Sequence, residues 1–145
     1  MKYTFAFALL AILSIGFASC TNETTTTDMT TLPVAVQNTV KNNFTGNVVS
    51  VTTEDSAIGV EEYEVCLDDG TKISFAGEEW DEVEMPLGVS VPSYFLLSPI
   101  SEYVATNYPG QAIVQISKDN KGYEIELANG IDIDFDINGN FIKVD

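Results

Sequence analysis

The residues of this chain best equipped for chemistry are its carboxylates, and they recur in a fixed rhythm. Over residues 122–137, GYEIELANGIDIDFDI, Glu124, Glu126, Asp132, Asp134 and Asp136 alternate with Tyr123, Ile125, Leu127, Ile131, Ile133, Phe135 and Ile137. Alternation of period two predicts strands with one buried and one wetted face. The five carboxylates therefore line a single surface. Such a row suits three tasks: keeping a sheet face solvated, docking a basic protein or peptide, or holding a cation. Catalysis is poorly served. The chain has no His and no Arg, which removes Ser-His-Asp and Cys-His nucleophile systems, His-ligated metals and bidentate anion clamps. Paired carboxylates can hydrolyse glycosides, yet here they sit on regular strands without long loops to build a pocket. The expectation is a protein that is not an enzyme and carries no cofactor, calcium being the one ligand left open.

That opening comes from one spacing. Asp134, Asp136, Asn138 and Gly139, with Asp145 at the twelfth position, fit the D-x-D-x-N-G order of a calcium loop. The entering segment alternates like a strand, and no exiting helix follows Asp145. An EF-hand is thus not expected, and calcium at Asp134, Asp136, Asn138 and Asp145 is expected only as a weak site on the carboxylate row.

The elements that must position these residues can be read in turn. A three-residue loop, Ala128-Asn129-Gly130, with Gly130 in the left-handed region, keeps both apolar sets of the hairpin on one face. A two-residue Asn-Gly turn would set Leu127 against Asp132 and break the pattern. Sixty residues upstream, EYEVCLDDGTKISF repeats the hairpin in kind: Tyr63 matches Tyr123, Val65 Ile125, Leu67 Leu127, Gly70 Gly130, Ile73 Ile133 and Phe75 Phe135. After a slip of one residue, Trp80 matches Phe141 and Val83 matches Val144. Each hairpin follows a short helical stripe, Val36, Val40 and Phe44 after Pro33, then Ile100, Tyr103, Val104 and Tyr108 after Ser98-Pro99. A tandem duplication is expected, with units at 32–89 and 90–145. Strict alternation puts Glu64, Cys66, Lys72, Ser74, Trp80 and Glu82 on the open face of the first unit. In the second it puts Phe141 and Lys143 beside the carboxylates, with Ile142 and Val144 inward. Trp80 and Phe141 then stand as apolar anchors inside a charged rim, the pattern of a docking surface.

The first thirty residues read as an address. Met1-Lys2 precede FAFALLAILSIGF, an apolar run too short to span a bilayer, and Ala18-Ser19-Cys20 follows. Small residues before Cys resemble the cleavage site of a bacterial lipoprotein signal peptide. Residues 1–19 are expected to be removed and Cys20 lipidated, leaving 5 Lys against 22 acids, a net charge of −17. Residues 20–31, rich in Thr, read as a tether. So acidic a chain is not expected to bind nucleic acid or to adhere to anionic lipid by charge; attachment to a membrane would come from the lipid anchor alone.

The repeated unit YEVxLxxGxxIxF, seen as YEVCLDDGTKISF and YEIELANGIDIDF, placed after a Leu-Pro or Val-Pro helix, resembles the PepSY-like, β-lactamase-inhibitor-protein-like lipoproteins of Bacteroidetes. The resemblance implies an α+β fold: two αββββ repeats forming one curved antiparallel sheet with helices packed on one side. In the family's namesake inhibitor the open sheet face grips a target enzyme. No inhibitor contact residue carries over, because the chain shares the scaffold pattern and not a binding motif. The expectation is a lipid-anchored envelope protein, on the periplasmic side or at the outer-membrane surface, that binds a partner without catalysis through its acidic face, regulation of a hydrolase or protease being the sharper form. Candidate partner-binding residues are Trp80, Glu124, Glu126, Asp132, Asp134, Asp136 and Phe141. The alternative is a sensor of cations or peptides.

Overall fold

The computed structural model describes residues 23–55, 59 and 61–145; the expected signal segment 1–19 and Cys20 lie outside them. Nine strands form one open antiparallel sheet in sequence order: β1 (Glu23–Thr26), β2 (Val48–Asp55), β3 (Glu61–Leu67), β4 (Lys72–Ala76), β5 (Glu79–Glu84), β6 (Ile113–Lys118), β7 (Gly122–Leu127), β8 (Asp132–Asp136) and β9 (Phe141–Val144). Two helices precede the longer runs of strands, α1 (Val34–Asn43) before β2 and α2 (Ser98–Asn107) before β6. The α+β class and the single antiparallel sheet agree with the sequence reading. Among the described residues no helix is long and apolar enough to cross a membrane.

The alternating strands meet in register. Val51, Val65, Ile73, Val83, Ile116, Ile125 and Ile133 lie opposite one another in turn, from β2 to β8. All seven are essentially inaccessible. Val36 and Val40 of α1 and Ile100 and Val104 of α2 join the same core cluster. Each helix thus contributes a narrow apolar stripe to the sheet face that carries this row. The hairpin loop is the expected one: Gly130 N donates to Leu127 O at 2.8 Å, Leu127 N to Ile131 O at 2.9 Å, and Gly130 has φ +81°. The β3–β4 loop closes in the same manner through Gly70.

Two features depart from the sequence reading. Residues 23–26, expected to be part of a tether, form strand β1 on the edge of β2, and Asp28 caps a short 3-10 turn by accepting from Thr30 N at 2.9 Å. β-branched Thr favours extended backbone and β2 offers it a free edge. The second departure is a set of bulges. The register skips one residue at Val49 in β2, Asp81 in β5, Val114 in β6 and Ile142 in β9. Each inserts an extra residue and reverses the facing of what lies beyond it.

Gly122 shows how closely β7 and β8 approach. A Cβ there would sit 2.0 Å from Phe135 O. Gly122→Ala is expected to cost at least about 2 kcal/mol by forcing the strands apart. Gly130→Ala, at φ +81° with nothing within 4 Å, should cost about 1–2 kcal/mol from backbone strain alone. Ile116→Ala, in the middle of the buried row, should cost about 2–5 kcal/mol. Urea denaturation of the three variants checks the order; a Gly122→Ala protein as stable as the parent would refute the close approach.

The acidic open face of the sheet

The face away from the helices is built by the residues between the buried ones. One row runs Thr52, Glu64, Ser74, Glu82, Ser117, Glu124, Asp134 and Lys143; the next runs Ser50, Cys66, Lys72, Glu84, Gln115, Glu126 and Asp132. The expected pairs Glu124 with Asp134 and Glu126 with Asp132 stand directly opposite, and Asp136 faces Gly122. Like charges opposite one another destabilise a sheet by tenths of a kcal/mol per pair. Partial burial and the carboxylates of Asp134 and Asp132 push the Glu124 carboxyl above its usual range. Two lysines relieve the field: Lys143 Nζ lies 3.3 Å from Asp134 and also pairs with Asp145, and Lys72 Nζ lies 3.4 Å from Glu84.

Trp80 and Phe141 are not on this face. Because Asp81 is the extra residue of the β5 bulge, Trp80 falls opposite Phe75 and turns toward the helices, where its ring meets Phe95 edge-on at 5.2 Å and Lys118 Nζ lies 4.3 Å from it. Ile142 does the same in β9. Phe141 falls opposite Phe135 and stacks on Tyr103 of α2 at 4.7 Å. Both aromatics lie on the helix side of the sheet, Trp80 partly buried against the core and Phe141 still 44% exposed. Ile142, expected inward, is 55% exposed. Val144, opposite Ile133 on the helix side, is itself 44% exposed. The signal was in the spacing: Trp80 to Val83 and Phe141 to Val144 are both three apart, and two residues on one face of a strand three apart require an extra residue between them.

The bulge brings two residues to prominence that the alternation had not marked, Asp81 and Gln115. Asp81 has a buried carboxylate oxygen, Oδ1, without a hydrogen-bond partner. Burial pushes its carboxyl up, helped by Glu62 and opposed by hydrogen bonds from the backbone N–H groups of Asp81 and Glu82 and by the charge of Lys118. Burial also pushes Glu82 up, although the amide of Gln115, hydrogen-bonded to its carboxylate, opposes the shift. Cys66 lies in the same region with Sγ 3.5 Å from Glu64, and burial raises its thiol away from the reactive thiolate.

The calcium-spaced residues are distributed over a hairpin. Asp136 accepts from Asn138 N, Asn140 N and Asn140 Nδ2, each at 2.9 Å, and these bonds hold its carboxyl below the usual range. Asp134 and Asp145 share Lys143. Asp136 is thus a loop brace, matching Asp68, which accepts from Asn47 N and Nδ2. Among the described residues no three carboxylate, thiol or imidazole groups are grouped to hold a metal ion.

These shifts give stability a definite pH dependence. A carboxyl raised in the folded state binds its proton more tightly than in the unfolded chain, so stability falls as pH rises through the raised value; Asp81, Glu82 and Glu124 act this way. A lowered carboxyl has the opposite effect, lost as pH falls; Asp68 and Asp136 act this way. Melting temperature should therefore rise from neutral pH toward the ordinary carboxylate values of 3.8 and 4.5 and fall below them. Asp81→Asn with Glu82→Gln should flatten the rise. A melting temperature highest at neutral pH would contradict the buried carboxyls.

Comparison with known proteins agrees with this architecture. Residues 61–143 match the family model described as "Putative beta-lactamase-inhibitor-like, PepSY-like". No curated protein matches. Among solved structures, a "putative periplasmic protein of unknown function" from Bacteroides vulgatus is 35% identical with TM-score 0.81, covering 86% of this chain and 99% of its own. A second Bacteroides vulgatus periplasmic protein, of the DUF2874 family, is 30% identical with TM-score 0.78, at 86% and 97% coverage. A "putative calcium-regulated periplasmic protein" from Bacteroides thetaiotaomicron is 30% identical with TM-score 0.78, at 85% and 96% coverage. With its sheet, its two helices and more than half of its length matched, the chain belongs to the PepSY-like, β-lactamase-inhibitor-like family.

Proposed function

We propose that this protein is a non-enzymatic binding protein of the bacterial cell envelope that docks a basic protein or peptide on its acidic open face. The observation that carries the reading is the pair of rows described above, in which Glu64, Glu82, Glu84, Glu124, Glu126, Asp132 and Asp134 share one surface with only Lys72 and Lys143 between them. Complementary charge speeds encounter and selects partners. The sharper form of the reading is inhibition or regulation of a hydrolase or protease, which the family's inhibitor-like description supports. The periplasmic descriptions of the solved relatives support an envelope location. Cys20, directly after the apolar run, supports lipid anchoring. In this reading the two halves descend from one duplicated unit, supported by bulges at corresponding places in β2 and β6 and in β5 and β9.

A second reading, a cation or peptide sensor, is favoured by one observation: a solved relative is described as calcium-regulated. The carboxylate row from Glu124 to Asp136 is the surface on which such an ion would act.

Capture from envelope extract separates these readings. The wild-type protein should retain a partner at low salt and release it at high salt, and Asp132→Lys with Asp134→Lys should abolish retention while circular dichroism stays unchanged. Retention unaffected by both changes would remove the acidic face from the interaction. A rise in melting temperature with calcium, without any captured protein, would favour the sensor. Cys20→Ala should move the protein from the membrane to the soluble fraction; a variant that stays with the membrane would refute the anchor.

A further inference from the structure

The two edges of the sheet are unlike. Strands β1 and β9 end the strand order, so each has one side with no neighbouring strand among the described residues. β1, Glu-Thr-Thr-Thr, carries no apolar side chain. β9 is the reverse: Phe141, Ile142 and Val144 are all exposed, as is Ile137 in the turn leading to it. Scattered apolar residues on a surface are ordinary; three along one short edge strand make that edge adhesive. The backbone of the edge is open as well. Asp145 N donates to Asp132 O at 2.9 Å, so in the antiparallel ladder the N–H and C=O of the adjacent Val144 point away from β8. No strand among the described residues meets them there.

Charge decides what can cover this edge. A second copy of the chain is poorly suited: placed antiparallel about a two-fold axis at Lys143, it sets Lys143 against its own counterpart, and it brings together two chains of net charge −16. The field beside β9 calls for the opposite sign. Asp134 and Asp145 flank Lys143, and the charge of Asp145 reaches as far as Glu124. Two carboxylates around one ammonium leave a negative excess on the open side, while Phe141 and Val144 present apolar surface on the helix side. We infer that β9 is a docking edge that takes up an extended segment of a basic partner protein as a tenth strand, its apolar side chains over Phe141 and Val144 and a basic one toward Asp134 and Asp145. The inference rests on the reading that the partner is basic, and it names where and how that partner is held. In such strand addition the main-chain ladder supplies the binding and the alternate side chains select the segment.

The test is an NMR titration of the full-length 15N-labelled protein with the peptide acetyl-Thr-Val-Lys-Val-Thr-Val-Thr-amide, its Lys→Glu analogue, and an analogue N-methylated at the valines, which cannot form the ladder. The first peptide should shift the amides of Phe141, Ile142 and Val144 saturably and slow hydrogen exchange at Val144 by at least about tenfold; neither analogue should do so. Val144→Pro removes a donor that points off the sheet and should weaken binding about fivefold, the loss of one neutral hydrogen bond. Val144→Lys, at an exposed position, should weaken it at least as much by repelling the peptide's lysine. Shifts confined to Glu124, Asp132 and Asp134, with exchange at Val144 unchanged, would overturn the edge and leave the acidic face as the docking surface. No saturable shift on the sheet would overturn both. Equal binding of the Lys and Glu peptides would overturn the basic partner. A Val144 amide protected without peptide, together with a dimer in sedimentation, would overturn the partner strand in favour of a second copy.

Discussion

The structure depends on one line of cross-strand contacts. Val51, Val65, Ile73, Val83, Ile116, Ile125 and Ile133 pair in sequence across seven of the nine strands, and no two of them are linked only through a helix. Burying a side chain of this size contributes about 1.5–3 kcal/mol, so the row outweighs the small cross-strand repulsions on the other face. It also fixes register. In a meander every strand is aligned only by its two neighbours, and a slip of one residue anywhere would turn an Ile outward and a carboxylate inward. The helices need supply little more than a cover. Each buries two aliphatic side chains, and the aromatics Phe44, Phe95 and Tyr103 pack against the same core.

This explains what was legible in the sequence. Period-two alternation in residues 62–75 and 122–137 is a direct image of the buried row, so the hairpins, their three-residue loops and the facing of Glu124, Glu126, Asp132 and Asp134 could be read from residue types alone. Alternation fails at a bulge, because a bulge changes parity without changing composition. That is why Trp80, Phe141 and Ile142 were expected on the wrong faces. Strand β1 was hidden for a different reason. Residues 23–26 have no buried side chain apart from a half-covered Thr26, and a strand held only by its backbone ladder leaves no apolar periodicity to detect.

The two faces consequently obey different constraints. Changes on the buried row are limited by close packing, whereas the open face is wetted and its residues can vary at small cost in stability. Function is free to settle there. The open face differs along the sheet: β7 and β8 offer Glu124, Glu126, Asp132 and Asp134, and β3 to β5 offer Glu64, Cys66, Lys72, Ser74 and Glu82. One sheet therefore carries two unlike stretches of surface, one rich in wetted carboxylates and one mixed and partly buried.

The bulges join the two faces mechanically. In β5 the extra residue lets Trp80 turn inward against Phe95 and at the same time holds Asp81 in a half-buried position beside Ser74. The packing of Trp80 against Phe95 and the partial burial of the Asp81 carboxyl are thus consequences of one extra residue. In β9 the same device turns Phe141 onto Tyr103, but its extra residue is Ile142, apolar and exposed, on the last strand of the sheet. The core gains the same kind of contact and the open face gains no charge. The two bulges turn an aromatic toward the helix side in the same way with Asp as the extra residue in one and Ile in the other, so the turn is set by the backbone and the aromatic packing rather than by the side chain of the extra residue.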